Sequence, residues 1–131
     1  MADPKPIERP ISPFMLGQYY RFQMTSVSSI LTRITGNALI GSFILGVWWL
    51  LAAAVGPDYF AVANWWLTSW LGDLIFTLSL LGIWYHYLAG LRHLYYDAGH
   101  GLDIETAEKL GWVIIIGSVV LTVLTLIIIQ F

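Results

Sequence analysis

Three long apolar stretches, separated by short polar and aromatic breaks, organise the chain. Ile34 to Val55, Leu74 to Leu91 and Leu110 to Phe131 contain no Asp, Glu, Lys or Arg. A helix needs about 20 predominantly apolar residues to cross a bilayer. With their flanking residues, the three runs predict spans at about 27–55, 66–96 and 106–131. Gly56-Pro57-Asp58 reads as a turn, and Gly99 and Gly101 end the second span. Asp103 or Thr106 is placed to cap the third helix, with Glu105 and Glu108 favourable in its first turn. The pattern predicts an all-α integral membrane protein: one membrane-anchor domain, 1–131, with three transmembrane helices.

Composition agrees. The 131 residues are 58% hydrophobic and 11% charged, with mean hydropathy +0.74. A water-soluble domain carries about twice that charge fraction. Seven Trp and seven Tyr suit the aromatic belts of two membrane interfaces, with Trp48, Trp49, Trp65, Trp66 and Trp70 near the predicted span ends. The net charge of −2 gives no reason to expect nucleic acid. Zero cysteines exclude disulfides, iron–sulfur ligation and c-type haem attachment from within the chain. Residues 1–25 form an extended or interfacial segment. Met1 to Pro13 has four prolines and no apolar signal-peptide core, and Asp3 and Glu8 argue against a transit peptide. It either lies on a partner or forms a disordered tail. The six basic residues are Lys5, Arg9, Arg21, Arg33, Arg92 and Lys109, with none between spans one and two or at the C-terminus. The positive-inside rule then puts the N-terminus in and the C-terminus out.

The polar residues within the spans carry the candidate chemistry. His86 lies in an apolar run, about 9 Å along a helix from Arg92. An ionisable group at that depth is expensive and marks a functional site by default; the plainer reading is a histidine hydrogen-bonded to a neighbouring helix. Gly82, His86 and Gly90 share one helix face. That spacing either opens a flat notch for a porphyrin beside the imidazole or serves helix packing. His86 and His93 are i, i+7, about 10.5 Å apart along the axis, so they cannot share one ion or bracket one haem. A bis-histidine haem therefore needs its second ligand from another polypeptide; Met24 is a poor internal alternative. On span one, Ser29 and Arg33 are one turn apart, with Ser26 and Gly36 extending their face. Arg33 is either a snorkelling anchor or a fixed cation whose fork of donors, with the Ser29 hydroxyl, suits a quinone headgroup or a haem propionate. The third span offers only Ser118, Thr122, Thr125 and Gln130 and reads as packing. Ser29, Arg33, His86, Arg92, His93 and Asp97 all gather at the inner leaflet.

These residues also carry a resemblance. Arg9-Pro10-Ile11-Ser12-Pro13, Ser29-Ile30-Leu31-Thr32-Arg33-Ile34-Thr35-Gly36 and His86-Tyr87-Leu88-Ala89-Gly90-Leu91-Arg92-His93-Leu94-Tyr95-Tyr96-Asp97 resemble the cytochrome b556 subunits of succinate dehydrogenase, over nearly the whole chain. The resemblance implies part of a heterodimeric haem-binding bundle. A second small membrane-anchor subunit supplies the other haem ligand, and the pair anchors an iron–sulfur subunit and a flavoprotein subunit. It implies that His86 ligates the iron of haem b and that Ser29 and Arg33 line the quinone pocket, with ubiquinone as substrate. Many relatives have histidine where this chain has Thr32, facing a haem propionate; Arg33, Arg92 and His93 are the candidates here. A bacterial cytoplasmic membrane is the expected location. The chain would then be a subunit of an enzyme and not a complete catalyst. The rival readings are a haem-free anchor and a small transporter-like helical protein using Arg33 and His86 as a polar relay. A Soret band separates haem from either.

Overall fold

The computed structural model describes residues 20–130. The readings of Met1 to Pro13, including Lys5 and Arg9, and of Phe131 lie outside them. The first helix, α1 (Met24–Val55), is 32 residues long. At about 1.5 Å per residue it extends about 48 Å, against roughly 30 Å of hydrocarbon. If Ile34 to Val55 fills the hydrocarbon, Ser29 and Arg33 stand at headgroup level. Ser26 closes the N-terminus, its hydroxyl accepting the Gln23 N–H at 3.2 Å.

The turn expected at Gly56 is present, with φ 153°, but it leads directly into a further helix. This is α2 (Pro57–Leu67), with Pro57 in its first turn and Asp58 favourable to the dipole. Alternation of aromatic and small residues hid it in the apolar pattern. At 11 residues it is too short to cross. It folds against the end of α1, where Trp49 Nε1 donates to Asn64 Oδ1 at 3.3 Å and stacks obliquely on Phe60. The break at Thr68-Ser69 divides the aromatic belt, so the second span starts at Trp70 and not at 66. Ser69 is the N-cap of α3 (Trp70–Asp97), accepting from Gly72 N–H at 3.4 Å.

The end of α3 shows why glycine is needed there. Gly99 has φ +79°, its N–H donates to Tyr96 O at 2.8 Å, and His100 N–H donates to Tyr95 O at 3.2 Å. This is a Schellman motif. Asp103 caps α4 (Ile104–Gln130) by accepting the Thr106 N–H at 2.8 Å. Hydrogen bonds from the Thr106 side chain and backbone hold the Asp103 carboxyl below its ordinary range.

The helices α1, α3 and α4 are all long and apolar enough to cross a membrane. The central one is α3, packed on both α1 and α4. The buried core is small: Tyr85, Ala89 and Ile114, flanked by Leu31, Leu88 and Ile115. Small residues let the helices approach. A Cβ on Gly111 would come within 2.7 Å of Met24 Cγ, so the start of α1 lies on the start of α4. Met24 is thereby spent on packing. Most large apolar side chains, Phe43 and Ile128 among them, point outward. In a bilayer that face meets lipid or another helix without the cost it would carry in water.

Candidate functional site

A stripe of small and polar residues on α1 builds the site. Ser28, Thr32, Thr35, Leu39 and Ser42 recur at spacings of three and four, which places them on one helix face. All of them face α3, and Thr32 also presents its carbonyl to His86. Ser42 Oγ lies 2.6 Å from Ser79 Oγ, and Leu39 packs on Gly82. Ser28 is 0% exposed and Arg92 only 6%. Arg92 Nη1 donates to Ser28 Oγ at 2.8 Å, and Tyr85 OH donates to the Ser28 carbonyl at 2.8 Å. The guanidinium also sits 5.7 Å from the Tyr96 ring centroid. Its buried Nε has no partner among the described residues.

This node fastens the N-terminal end of α1 to α3. Each partner removed from a buried cation adds a desolvation cost. Ser28→Ala strands Arg92 Nη1 and should cost about 1–3 kcal/mol, measured by denaturation of the assembled complex in detergent. Ser29→Ala, at a half-buried neighbour, should move stability by less than about 0.5 kcal/mol.

The residue after Tyr85, His86, is exposed on the surface of this chain. Its Nδ1 lies 3.2 Å from the Thr32 carbonyl and 3.3 Å from Thr35 Oγ1. A carbonyl oxygen only accepts, so Nδ1 carries a proton, and in the neutral ring Nε2 keeps a free lone pair. That is how a metal-ligating imidazole is held: one nitrogen donates to the protein and the other faces the metal. Gly36 presses on the ring, and a Cβ there would lie 3.0 Å from His86 Cε1. The glycine beside the imidazole is thus Gly36 of α1. The expected Gly82/Gly90 notch is not formed as such: a Cβ on Gly82 would lie 3.7 Å from Leu39 Cδ2, while Gly90 has open space beside it.

Ser29 opens into a different recess. A cleft of about 260 Å³ is lined by Thr25, Ser29, Arg92, His93, Tyr96 and the Gly101-Leu102 turn. It is smaller than the roughly 300–1,000 Å³ of a drug-sized site, leaving room for one ring with any tail outside. Arg33 does not line this cleft. It lies one turn further on, exposed, with its carbonyl accepting from Asn37 Nδ2 at 3.0 Å. Asp97 and His93 are exposed at the same end. The structure therefore brings Ser29, Arg92 and His93 together and leaves Arg33 on the outer flank. Arg92, read from sequence as a haem-propionate candidate, is buried against Ser28. Ser28, Tyr85, Thr35 and Gly36 were not singled out as site residues; the three-and-four spacing of Ser28, Thr32 and Thr35 was the signal for two of them.

Three membrane-crossing helices with their polar chemistry concentrated at one end define a polytopic membrane subunit. The family model for the succinate dehydrogenase/fumarate reductase transmembrane subunit matches residues 5–125, and the chain belongs to that family. It is 53% identical to the succinate dehydrogenase cytochrome b556 subunit of Paracoccus denitrificans over 128 residues, covering 98% of this chain and 97% of that one. The corresponding subunit of Rickettsia conorii is 35% identical over 121 residues, 89% of this chain and 90% of that one. The cytochrome b560 subunit of Reclinomonas americana is 37% identical over 114 residues, 83% of this chain and 78% of that one. The chain is a multi-pass membrane anchor subunit of the succinate dehydrogenase type.

Proposed function

We propose that this subunit binds haem b jointly with a second small membrane-anchor subunit and helps form the site where succinate-derived electrons reach ubiquinone. The observation that carries the reading is the orientation of His86. With Nδ1 donating to the Thr32 carbonyl, Nε2 is free to ligate iron, and the exposed ring faces whatever covers this side of the bundle. A bare imidazole facing lipid at that depth would be costly, so a covering partner is expected. Haem b, when bound, takes up and returns one electron. The donor set fits it: one imidazole, no thiolate, and basic groups nearby for propionates. Arg33 and His93 are exposed at that end, and Arg92 retains an unpartnered Nε.

Ubiquinone is proposed to meet Ser29, whose hydroxyl opens into the cleft, and Arg33, one turn away. The Ser29 hydroxyl donates to a quinone carbonyl, and the Arg33 fork stabilises negative charge developing on the quinone oxygen. Electrons arrive from succinate through a flavoprotein subunit and an iron–sulfur subunit on the inner face. The membrane is the bacterial cytoplasmic membrane, with the N-terminus cytoplasmic and the C-terminus periplasmic, as the distribution of Lys and Arg indicates. A haem-free anchor is the rival reading; it leaves the tautomer and exposure of His86 without a use.

Expression of the subunit with and without its membrane partner tests the shared haem. The isolated, monomeric subunit should give no six-coordinate bis-histidine signal, and the assembled pair should give one. Such a signal from the isolated monomer would refute the shared ligation.

A further inference from the structure

The contacts of His86 include a hydroxyl that the haem reading does not require. Thr35 Oγ1 lies 2.9 Å from the Leu31 carbonyl, 3.1 Å from the Thr32 carbonyl and 3.3 Å from His86 Nδ1. A hydroxyl has one proton. Both carbonyls need it, because neither can donate. The proton therefore points into its own helix, and the lone pairs of Oγ1 face His86. His86 Nδ1–H is left with two acceptors, the Thr32 carbonyl and Thr35 Oγ1. Gly36, the next residue, limits how the ring turns by its closeness to Cε1. Three adjacent features of one helical turn thus hold a single imidazole.

We propose that Thr35 is a positioning residue for the haem ligand: by accepting from His86 Nδ1–H beside the Thr32 carbonyl it adds a second acceptor at Nδ1 and raises the electron-donating power of Nε2. The proposal rests on His86 being the axial ligand. An acceptor at Nδ1 gives the imidazole more imidazolate character and favours the ferric state of the bound iron. Its removal favours the ferrous state. Thr35→Val removes the hydroxyl at nearly constant shape, and Thr35→Ser retains it. The Thr32 carbonyl remains in both, so the iron should stay six-coordinate and the change should be partial.

The experiment is a redox titration of the assembled complex, followed by visible absorption and by the low-spin electron paramagnetic resonance spectrum. In Thr35→Val the ferrous-to-ferric ratio at a fixed potential near the midpoint should rise about threefold, which for one electron is roughly 30 mV. The low-spin g-values should shift, and Thr35→Ser should titrate like the parent. Thr35→Ala makes the same comparison if valine prevents assembly. A hydroxyl-free variant with the parent's potential and g-values would overturn the role of Thr35. His86→Ala is titrated alongside. If it loses the native low-spin spectrum while the Thr35 variants are unchanged, the ligand stands and only the Thr35 inference falls. If His86→Ala keeps that spectrum, both fall.

Discussion

Arg33→Lys and Ser29→Ala each lower quinone reductase efficiency roughly ten- to hundredfold while leaving succinate oxidation by an upstream artificial acceptor intact. The size follows from losing one hydrogen bond to or from a charged group, on the order of 1.5–3 kcal/mol, read as lost transition-state stabilisation. Lysine is the informative replacement at Arg33. It keeps the charge but not the planar fork of donors. An arginine that only anchors the helix at the headgroups would tolerate it. The position makes this a real alternative: Arg33 is exposed, directly precedes the uncharged run of α1, and does not line the cleft that holds Ser29. Parent-like quinone reduction by both variants would return Arg33 to an anchoring role and leave Arg92, His93 and Tyr96 as the residues to test in that cleft.

The membrane spans were legible because each is an apolar run bounded by charge, glycine or aromatic residues. Helix α2 was not, since its 11 residues mix Trp, Tyr and Phe with Asp and Asn and mimic a belt between two spans. His86 stood out because an imidazole in an apolar run has few cheap explanations. Its surroundings were not legible. Which glycine faces the ring depends on how α1 and α3 rotate against each other, and that rotation is set by Ser28, Tyr85 and Arg92 acting across the helix pair. Helix periodicity placed Gly82 and Gly90 beside His86 along its own helix; the contact came instead from Gly36 on the other. The same rotation buried Ser28 and left Ser29 facing the cleft. One residue on a helix turns the side chain by about 100°, so only packing distinguishes two adjacent serines.

His86→Ala removes or strongly alters the b-type spectrum of the assembled complex. No other histidine of this chain can replace it. His93 is displaced by two turns along α3 and stands edge-on to Tyr96, and His100 stacks on Tyr95 beyond the helix end. Alanine also empties the space against Gly36 and leaves the Thr32 carbonyl without its cross-helix donor. The bundle itself should survive, because the node formed by Ser28, Tyr85 and Arg92 does not involve the imidazole. Haem loss with the complex still assembled is therefore the expected phenotype. The most direct measurement is the reduced-minus-oxidised visible spectrum of the purified complex, parent against His86→Ala. The haem-anchor account predicts a b-type difference spectrum in the parent that is lost or strongly perturbed in the variant; an unchanged low-spin spectrum in the variant would contradict it.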